Sequence, residues 1–459
     1  MSSDNLGLTA SVSMALGGMI GGGIYAVLGV VAGIAGPATW AAFVLAGAVA
    51  LCSGYAFNAL NRADDDNQGG TVSFVQAFVG NSTLAGMAGW TLLFGYIGSM
   101  AMYAFAFGEF VVSLGAVPEE FGGLPARPVV SVLAVAAFVG LNLLGAQTTG
   151  VVENVLVTLK VGILVAFGGL GLVYALVHSS STGIDPGLDR LASFGPVMAA
   201  AVSFVAFQGW QLLFYDQASI ESPVDTIRTA VYVSIPVAVA VYVLVGVVTV
   251  TLVPAAIESH PHVALKDAAE LMMEPYGLAA VGGVVISLSA LFSTGSAINA
   301  TLFSAARFAH GLLRDDLLPD AVGHADGDGL PERTVLVVGG VTGALAAVGS
   351  LGAITAFASL AFIVVFGAMS YLAVRERGRE GIDPVPPAVG LAGTALFFPL
   401  MLYHLARDQP ETFVTVVVLA VVVLGVELFY FERETMAREV DAVESVVVDD
   451  ADSVPPNVD

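Results

Sequence analysis

The feature that most constrains the fold of this 459-residue chain is a series of twelve long apolar runs. A run of about 20 apolar residues is the length of helix that crosses roughly 30 Å of hydrocarbon. Because the backbone polar groups of a segment in lipid need hydrogen-bond partners within the protein, such runs predict α-helices. We therefore predict an all-α polytopic membrane protein. The predicted spans are residues 7–34, 38–60, 83–115, 128–148, 151–178, 195–219, 229–254, 277–311, 333–349, 352–374, 386–405 and 411–431.

The composition agrees with a membrane protein and adds a second feature, a strong negative charge. Hydrophobic residues make up 57% of the chain and charged residues 12%, against about 45–50% and about 25% in soluble domains. The formal charge is −23, with 38 acidic residues and 15 basic ones, of which only two are Lys. An acidic surface with few lysines is typical of salt-loving organisms, so we expect a haloarchaeal source; a cation-binding surface is the alternative. Nucleic acid is not favoured as a partner.

The basic residues predict the orientation in the membrane. An even number of spans places both termini on one side, and Lys and Arg concentrate in cytoplasmic loops. With an inner N-terminus, ten basic residues fall in inner loops or at inner span ends and four fall outside, and the remaining one, Lys160, lies deep within a span. We therefore expect a multi-pass plasma-membrane protein with both termini in the cytoplasm. The single cysteine, Cys52, excludes a disulfide framework and a cysteine-based metal site, and we predict neither metal nor cofactor.

Two of the apolar runs contain an interruption. Residues 19–29 read MIGGGIYAVLG, and residues 204–216 read FVAFQGWQLLFYD. Since a glycine costs roughly 1 kcal/mol in a helix interior, these stretches predict that the first and sixth helices are broken. Two five-span units that each begin with a broken helix, in opposite orientations, are typical of secondary transporters with inverted repeats, whose substrate lies at the breaks. Glycines that only allow close helix packing are the alternative.

These repeats predict the organisation of the whole chain. A 5+5 inverted-repeat core is followed by two peripheral helices, which gives about 12 transmembrane helices. The last segment is too polar and too acidic to bury a core, so it is expected to be disordered. The predicted boundaries are an N-terminal cytoplasmic segment at 1–6, a first five-span repeat at 7–178, an outer loop at 179–194, a second five-span repeat at 195–374, two peripheral spans at 375–431 and an acidic cytoplasmic tail at 432–459.

Three stretches resemble motifs of the amino acid–polyamine–organocation (APC) superfamily of transporters. IGGGIYAVLG at 20–29 is similar to the GxGIF motif of the first span. FVAFQGW at 204–210 with ESPVDTIRTAV at 221–231 resembles the sixth-span motif and the segment after it. STGSAINATLFSAARFAHGLLRDDLLP at 293–319 resembles the eighth span and its RDGxLP loop. The resemblance covers residues 6 to 431 and implies an amino acid permease that works by alternating access.

The resemblance also implies a substrate site at the two breaks. Backbone N–H groups of the first break would bind the substrate carboxylate, as the positive end of a half-helix binds anions. Backbone carbonyls would bind the ammonium group, and two aromatic side chains would border the site. The implied substrate-binding residues are Ile20, Gly21, Gly22, Gly23, Ile24, Val205, Phe207, Gln208, Gly209 and Trp210.

The sequence departs from the family pattern in ways that bear on the substrate. Family members often carry an acidic residue two positions after the sixth-span glycine, where this chain has Gln211. Ala218 and Ser219 stand near the positions of a usual acidic pair. A neutral, apolar amino acid is therefore favoured over a strongly cationic one.

Lys160 lies within the predicted fifth span, in ENVLVTLKVGILVAF at 153–167. A lysine at membrane depth is costly and marks a functional site by default. The resemblance implies that its ammonium takes the place of a sodium ion, near Gly17, Ile20, Ser293 and Thr294. Because burial disfavours the charged form, we expect Lys160 to couple proton flow to transport; a permanently charged residue that pins the helices is the alternative.

The remaining alternatives concern the class of function. Glu109, the other ionisable residue at membrane depth, fits either a proton relay or the wall of an outer vestibule. No HExxH or comparable motif indicates an enzyme. The expected partners are a small amino acid, protons and the lipid bilayer, and the expected state is a monomer or homodimer. An exchanger, a carrier of polyamines, purines or other organic cations, a channel and a non-transporting amino acid sensor stay open.

Overall fold

A computed structural model describes residues 6–64, 69–144, 150–178, 184–319, 322–323 and 332–430. Helices account for most of these ranges. The described strands form one short antiparallel hairpin, in which Glu120–Phe121 pairs with Leu124–Pro125. The helices are α1 (Leu8–Ala35), α2 (Thr39–Ala63), α3 (Thr71–Val79), α4 (Ser82–Ser113), α5 (Ala126–Leu143), α6 (Gly150–His178), α7 (Gly195–Ser203), α8 (Pro223–Leu252), α9 (Pro254–Ser259), α10 (Ala264–Met273), α11 (Ala279–Arg314), α12 (Glu332–Val348), α13 (Leu351–Arg375), α14 (Val385–Asp408) and α15 (Pro410–Tyr430).

The all-α polytopic class predicted from the apolar runs is confirmed. Ten helical segments in the described part of the chain are long and apolar enough to cross a membrane. One of them, Leu8–Ala63, holds both α1 and α2, joined by a 3-10 turn at Gly36–Ala38. Every predicted span coincides with a helical segment, although α12, with 17 residues, is shorter than the others. The layout of twelve crossings remains a prediction.

The chain divides into two compact units, residues 1–416 and 417–459. In the first unit, some helices present apolar side chains outward: Leu133 on α5 is 62% exposed and Leu176 on α6 is 73% exposed. Such faces suit contact with lipid, which is as apolar as leucine. The described part of the second unit, residues 417–430, is the end of α15 and is also mostly apolar and exposed. The predicted disordered tail lies outside the described residues.

Helix α1 lies at the centre of the first unit. It packs against α4, α6, α7, α8 and α11, and it is buried along nearly its whole length. Its sequence explains this position, because a helix that is apolar all round is suited to the interior of a bundle. Its small residues also let neighbouring backbones approach closely. A central helix with contacts on every side is well placed to respond to movements of its neighbours.

The sixth span is broken as predicted. Helix α7 ends at Ser203, and the chain continues as a 3-10 turn over Phe204–Phe207, an extended residue at Gln208 and a second 3-10 turn over Trp210–Tyr215. Gly209 between the turns has φ 131° and ψ −42°, a conformation that suits glycine and strains other residues. The break therefore follows from the sequence FQGW, in which glycine stands at the residue that needs positive φ.

The predicted break in the first span is wrong for this structure, because α1 runs without interruption from Leu8 to Ala35. The three glycines instead serve close packing. A Cβ at Gly21 would lie 2.7 Å from the Cβ of Ala297, and a Cβ at Gly22 would overlap the ring of Tyr103. In this structure the glycines therefore allow close helix packing. Glycine lowers the stability of a helix, and contacts that only glycine permits offset that loss.

Candidate functional site at the sixth-span break

The break in the sixth span lies directly against α1. A Cβ added to Gly209 would come 2.7 Å from the Cα of Gly18, and a Cβ added to Gly18 would come 2.6 Å from the Cα of Gly209. Real Cβ atoms do not approach backbone this closely, so both positions need glycine for the observed contact. The two glycines thus bring the irregular backbone of the sixth span onto α1 at the centre of the bundle.

A chain of neutral side-chain hydrogen bonds begins at the broken backbone. The N–H of Gly209 donates to Gln211 Oε1 at 2.6 Å. Gln211 Nε2 donates to Gln208 Oε1 at 3.1 Å, and Gln208 Nε2 donates to the Tyr103 hydroxyl at 2.5 Å. All four residues are buried. Since buried polar groups need partners, this network stabilises an irregular segment without any charged side chain.

The predicted substrate-binding residues do come together, and all of them are buried. The structure places them where α1 meets the residues of the break, with the Tyr103 ring packed on Gly22 and the Tyr242 hydroxyl beside Gly23. The buried residues are Ile20, Gly21, Gly22, Gly23, Ile24, Val205, Phe207, Gln208, Gly209 and Trp210. Because α1 is continuous, the amides of its glycines lie within a regular helix and donate along it. The predicted donor groups are therefore engaged in this conformation.

The carbonyls at this contact are also engaged. The Ile20 carbonyl accepts a hydrogen bond from Ser293 Oγ at 3.1 Å, and the Val205 carbonyl accepts one from the N–H of Gln208 at 3.2 Å. The Tyr242 hydroxyl lies 2.6 Å from the Met19 carbonyl oxygen and 2.9 Å from that of Ala206. This single hydroxyl joins α1, α8 and the broken span.

Sequence reasoning did not select Tyr103, Tyr242 or Gln211 for the site. Tyr103 and Tyr242 are polar-tipped residues in apolar runs, in AMYAFAFG and VAVYVLV. That signal could have identified them, because a buried tyrosine hydroxyl usually finds a partner. The sequence indicated Gln211 only as a replacement for an acidic residue. In the structure its side chain accepts a hydrogen bond from the N–H of Gly209 and donates one to Gln208.

Aromatic side chains border the break. The Phe207 ring lies 5.3 Å from that of Tyr242, and the Trp210 ring lies 5.0 Å from Phe366 and 5.2 Å from Phe57, measured between centroids. Within the described residues, the buried indole N–H of Trp210 has no hydrogen-bond acceptor. A buried donor without a partner is costly, so Trp210 offers a group that a polar ligand could satisfy.

Lys160 lies beside this site. The side chain is buried, and its Nζ donates to the Gly17 carbonyl at 3.2 Å. Ser293, also expected there, bonds to Ile20, whereas Thr294 donates to the Ala290 carbonyl of its own helix at 2.7 Å. Helix α6 therefore places an ammonium group on the backbone of α1 one turn before the three glycines.

Polar contacts hold the segment that follows the break. Arg307 on α11 pairs with Asp216, just after the broken span, at 2.6 Å. The Tyr215 hydroxyl lies 2.9 Å from the Thr71 hydroxyl on α3. Asn61 on α2 and Gln217 exchange two amide hydrogen bonds, of 3.2 Å and 2.8 Å. These contacts connect the end of the broken span to α2, α3 and α11.

Comparison with known proteins gives concordant results. The sequence profile of the amino acid permease family matches residues 6–431. An uncharacterized protein of Methanocaldococcus jannaschii is 30% identical over 315 residues, which is 69% of this chain and 70% of that protein. The inner membrane transport protein YbaT of Escherichia coli is 29% identical over 303 residues, 65% of this chain and 67% of that protein. The branched-chain amino acid permease BcaP of Bacillus subtilis is 24% identical over 331 residues, 67% of each protein.

The contact between Gly209 and α1 predicts a large effect of a small substitution. Gly209→Ala combines a strained φ with an overlap on Gly18, and strain of this kind alone costs on the order of 1–3 kcal/mol. Gly33 on α1 is the matched control, because a Cβ there meets nothing within 4 Å. We expect thermal unfolding of the purified protein to shift to lower temperature for Gly209→Ala and not for Gly33→Ala. Equal melting temperatures for the two variants would contradict the proposed contact.

Proposed function

This chain belongs to the amino acid permease family of membrane transporters, and we propose that it imports neutral, apolar amino acids across the plasma membrane together with protons, by alternating access. The observation that carries the proposal is the uncharged hydrogen-bond network at the sixth-span break. It is bordered by aromatic rings and lies against the glycines of α1. Membership of the family makes the chain a transporter rather than an enzyme.

The preference for neutral substrates rests on the charges around the break. The side chains that bond residues of the break are uncharged; they belong to Gln208, Gln211, Tyr103, Tyr242 and Ser359. The first acidic residue after the break, Asp216, is already paired with Arg307. A cationic side chain placed among these groups would be desolvated without a counter-charge, which is unfavourable.

Binding of the substrate carboxylate requires α1 to open at its three glycines. Glycine makes this the weakest part of the helix, by roughly 1 kcal/mol per residue relative to alanine. If the Tyr103 ring leaves Gly22, the amides of Gly21, Gly22 and Gly23 become reachable, because no Cβ shields them. Charge-assisted hydrogen bonds to a carboxylate, each about twice as strong as neutral ones, would offset the helical bonds that are lost.

Proton coupling is assigned to Lys160. Its Nζ donates to the Gly17 carbonyl of α1, one turn before the three glycines. A neutral amine would hold that carbonyl less strongly than an ammonium group. Loss of the proton therefore weakens the connection between α6 and α1 close to the place where α1 must open. A protonation step and a conformational step are thus joined through one hydrogen bond.

The direct test of the proposed activity is uptake into sealed proteoliposomes. The panel consists of labelled leucine, valine, alanine, lysine, glutamate and putrescine, each measured with an inward proton gradient, with a sodium gradient and with neither. We expect uphill accumulation of leucine or valine that depends on the proton gradient and not on sodium, with little uptake of lysine or putrescine. Uptake that never exceeds equilibrium would contradict proton-driven accumulation, and preference for a cation would refute the substrate assignment.

The role of Lys160 is tested by two substitutions at that position. Lys160→Met removes the charge, and Lys160→Arg keeps a charge that is not lost near neutral pH. We expect both variants to exchange substrate across the membrane but to lose proton-driven accumulation. The control is Lys266→Met, which removes the only other lysine of the chain. Retention of coupling by Lys160→Arg would show that a fixed cation suffices, and retention by Lys160→Met would exclude Lys160 from coupling.

A further inference from the structure

The segment between α8 and α11 covers the outer end of α1. It comprises α9, a 3-10 turn at Pro261–Val263 and α10, and we call residues 254–273 the outer strap. The Pro261 carbonyl fills the space that a Cβ of Gly29 would occupy. The strap and α1 therefore meet backbone to backbone, through a glycine two turns above the substrate site.

On its other side the outer strap meets a ring on α4. The His262 ring lies 5.5 Å from that of Phe105, with the planes at 72°. The Arg127 guanidinium of α5 lies 3.9 Å from the centroid of the same Phe105 ring. Arg127 also lies 4.0 Å from Glu109 on α4 and donates to the Ala346 carbonyl on α12. The Phe105 ring thus contacts both the Arg127 guanidinium and the His262 imidazole of the strap.

His262 is in an unfavourable place for a positive charge. Burial, and then the positive charge of Arg127, lower the pKa of His262 below its usual value. Within the described residues, its Nδ1 is buried and has no hydrogen-bond partner. A charged imidazole needs an acceptor for both of its N–H groups. The closed strap therefore favours the neutral ring.

The other titratable groups around the 3-10 turn do not supply that acceptor. Lys266 lies 3.7 Å from Glu270 and donates to the Ser113 carbonyl. Helix α4 contributes Glu109, whose neighbour is Arg127, and the only titratable side chain of α1 is Tyr25, which bonds to Ser289 at 2.7 Å. The remaining titratable groups are those of the strap itself, Glu258, His260 and Asp267, and none of them is hydrogen-bonded to Nδ1 of His262.

We propose that His262 is a proton-binding site at the outer end of the transporter, and that a proton bound there releases the outer strap from α1 and α4. When the strap lifts, the imidazole enters water and regains an ordinary pKa of about 6.5. The proton therefore binds the open state more tightly, and binding shifts the population towards that state. The stabilisation of the closed state is fully present above about pH 6.5 and is lost as the outer pH falls below it.

This site gives the outer proton a second role, distinct from that of Lys160. The inference rests on the proposed proton-coupled uptake for its physiological meaning, because acid outside would expose the binding site to external substrate. The opening of the strap on protonation of His262 does not itself depend on any substrate. A readout of accessibility can therefore test it even if the proposed transport activity fails.

The experiment measures labelling of a buried cysteine, on the face of α4 that packs against α1, by a membrane-impermeant thiol reagent added outside. Cys52, the only native cysteine, is first replaced by alanine. Ala106→Cys supplies the probe, because Ala106 is buried on α4 and shares a face with Tyr103 and Phe110. Ala192→Cys, in an exposed loop, supplies the reference that corrects for the intrinsic pH dependence of the thiol. We expect corrected labelling of the probe to rise severalfold between about pH 7.5 and about pH 5.5, on either side of an ordinary histidine pKa.

The matched variants are His262→Gln and His260→Gln, two residues apart on the strap. Only His262 has the half-buried position against Phe105; His260 is exposed. We expect the pH-dependent rise to disappear in His262→Gln and to remain in His260→Gln. His262→Phe, which keeps an aromatic ring against Phe105, should behave as His262→Gln and serves if the glutamine variant folds poorly. A full rise in either His262 variant, or its loss in His260→Gln, would overturn the proposal.

Discussion

The contact between Gly18 and Gly209 is the constraint on which the rest of this structure depends. It brings irregular backbone of the sixth span within van der Waals distance of α1, without a side chain between them. Irregular backbone at membrane depth is tolerated only where it is enclosed by protein or lines a cavity. Here it is enclosed by protein, and the N–H of Gly209 donates to Gln211, from which side-chain hydrogen bonds continue through Gln208 to Tyr103. The site therefore exists because two backbones meet where neither carries a side chain.

Further contacts enclose the site. Tyr103 lies on Gly22 in the space from which a ligand would reach the α1 backbone, and every predicted site residue is buried. On one side of the site Arg307 pairs with Asp216, and on the other side Pro261 packs on Gly29. The predicted site is therefore enclosed by protein in this structure.

The sequence was sufficient for the fold class because the length and apolarity of twelve runs leave helices as the only way to satisfy the backbone. It was also sufficient for the break in the sixth span, where a glycine flanked by large residues indicates a backbone position that needs positive φ. It failed at the first span. Consecutive glycines are compatible both with a broken helix and with close packing, and the choice depends on Tyr103 and Ala297, which lie far away in sequence. The contact between Lys160 and Gly17 followed from the family resemblance, whereas local sequence gave no indication that Gln211 holds the break.

The central claim is that a substrate carboxylate takes the place of the Tyr103 ring at the three glycines and opens α1 there. An experimental structure with a bound neutral amino acid such as leucine tests it most directly. We predict that the carboxylate lies within about 3 Å of the amide nitrogens of Gly21, Gly22 or Gly23, that α1 is interrupted at these residues, and that the Tyr103 ring has left Gly22. A bound substrate elsewhere, with α1 continuous and Tyr103 still packed on Gly22, would contradict the account.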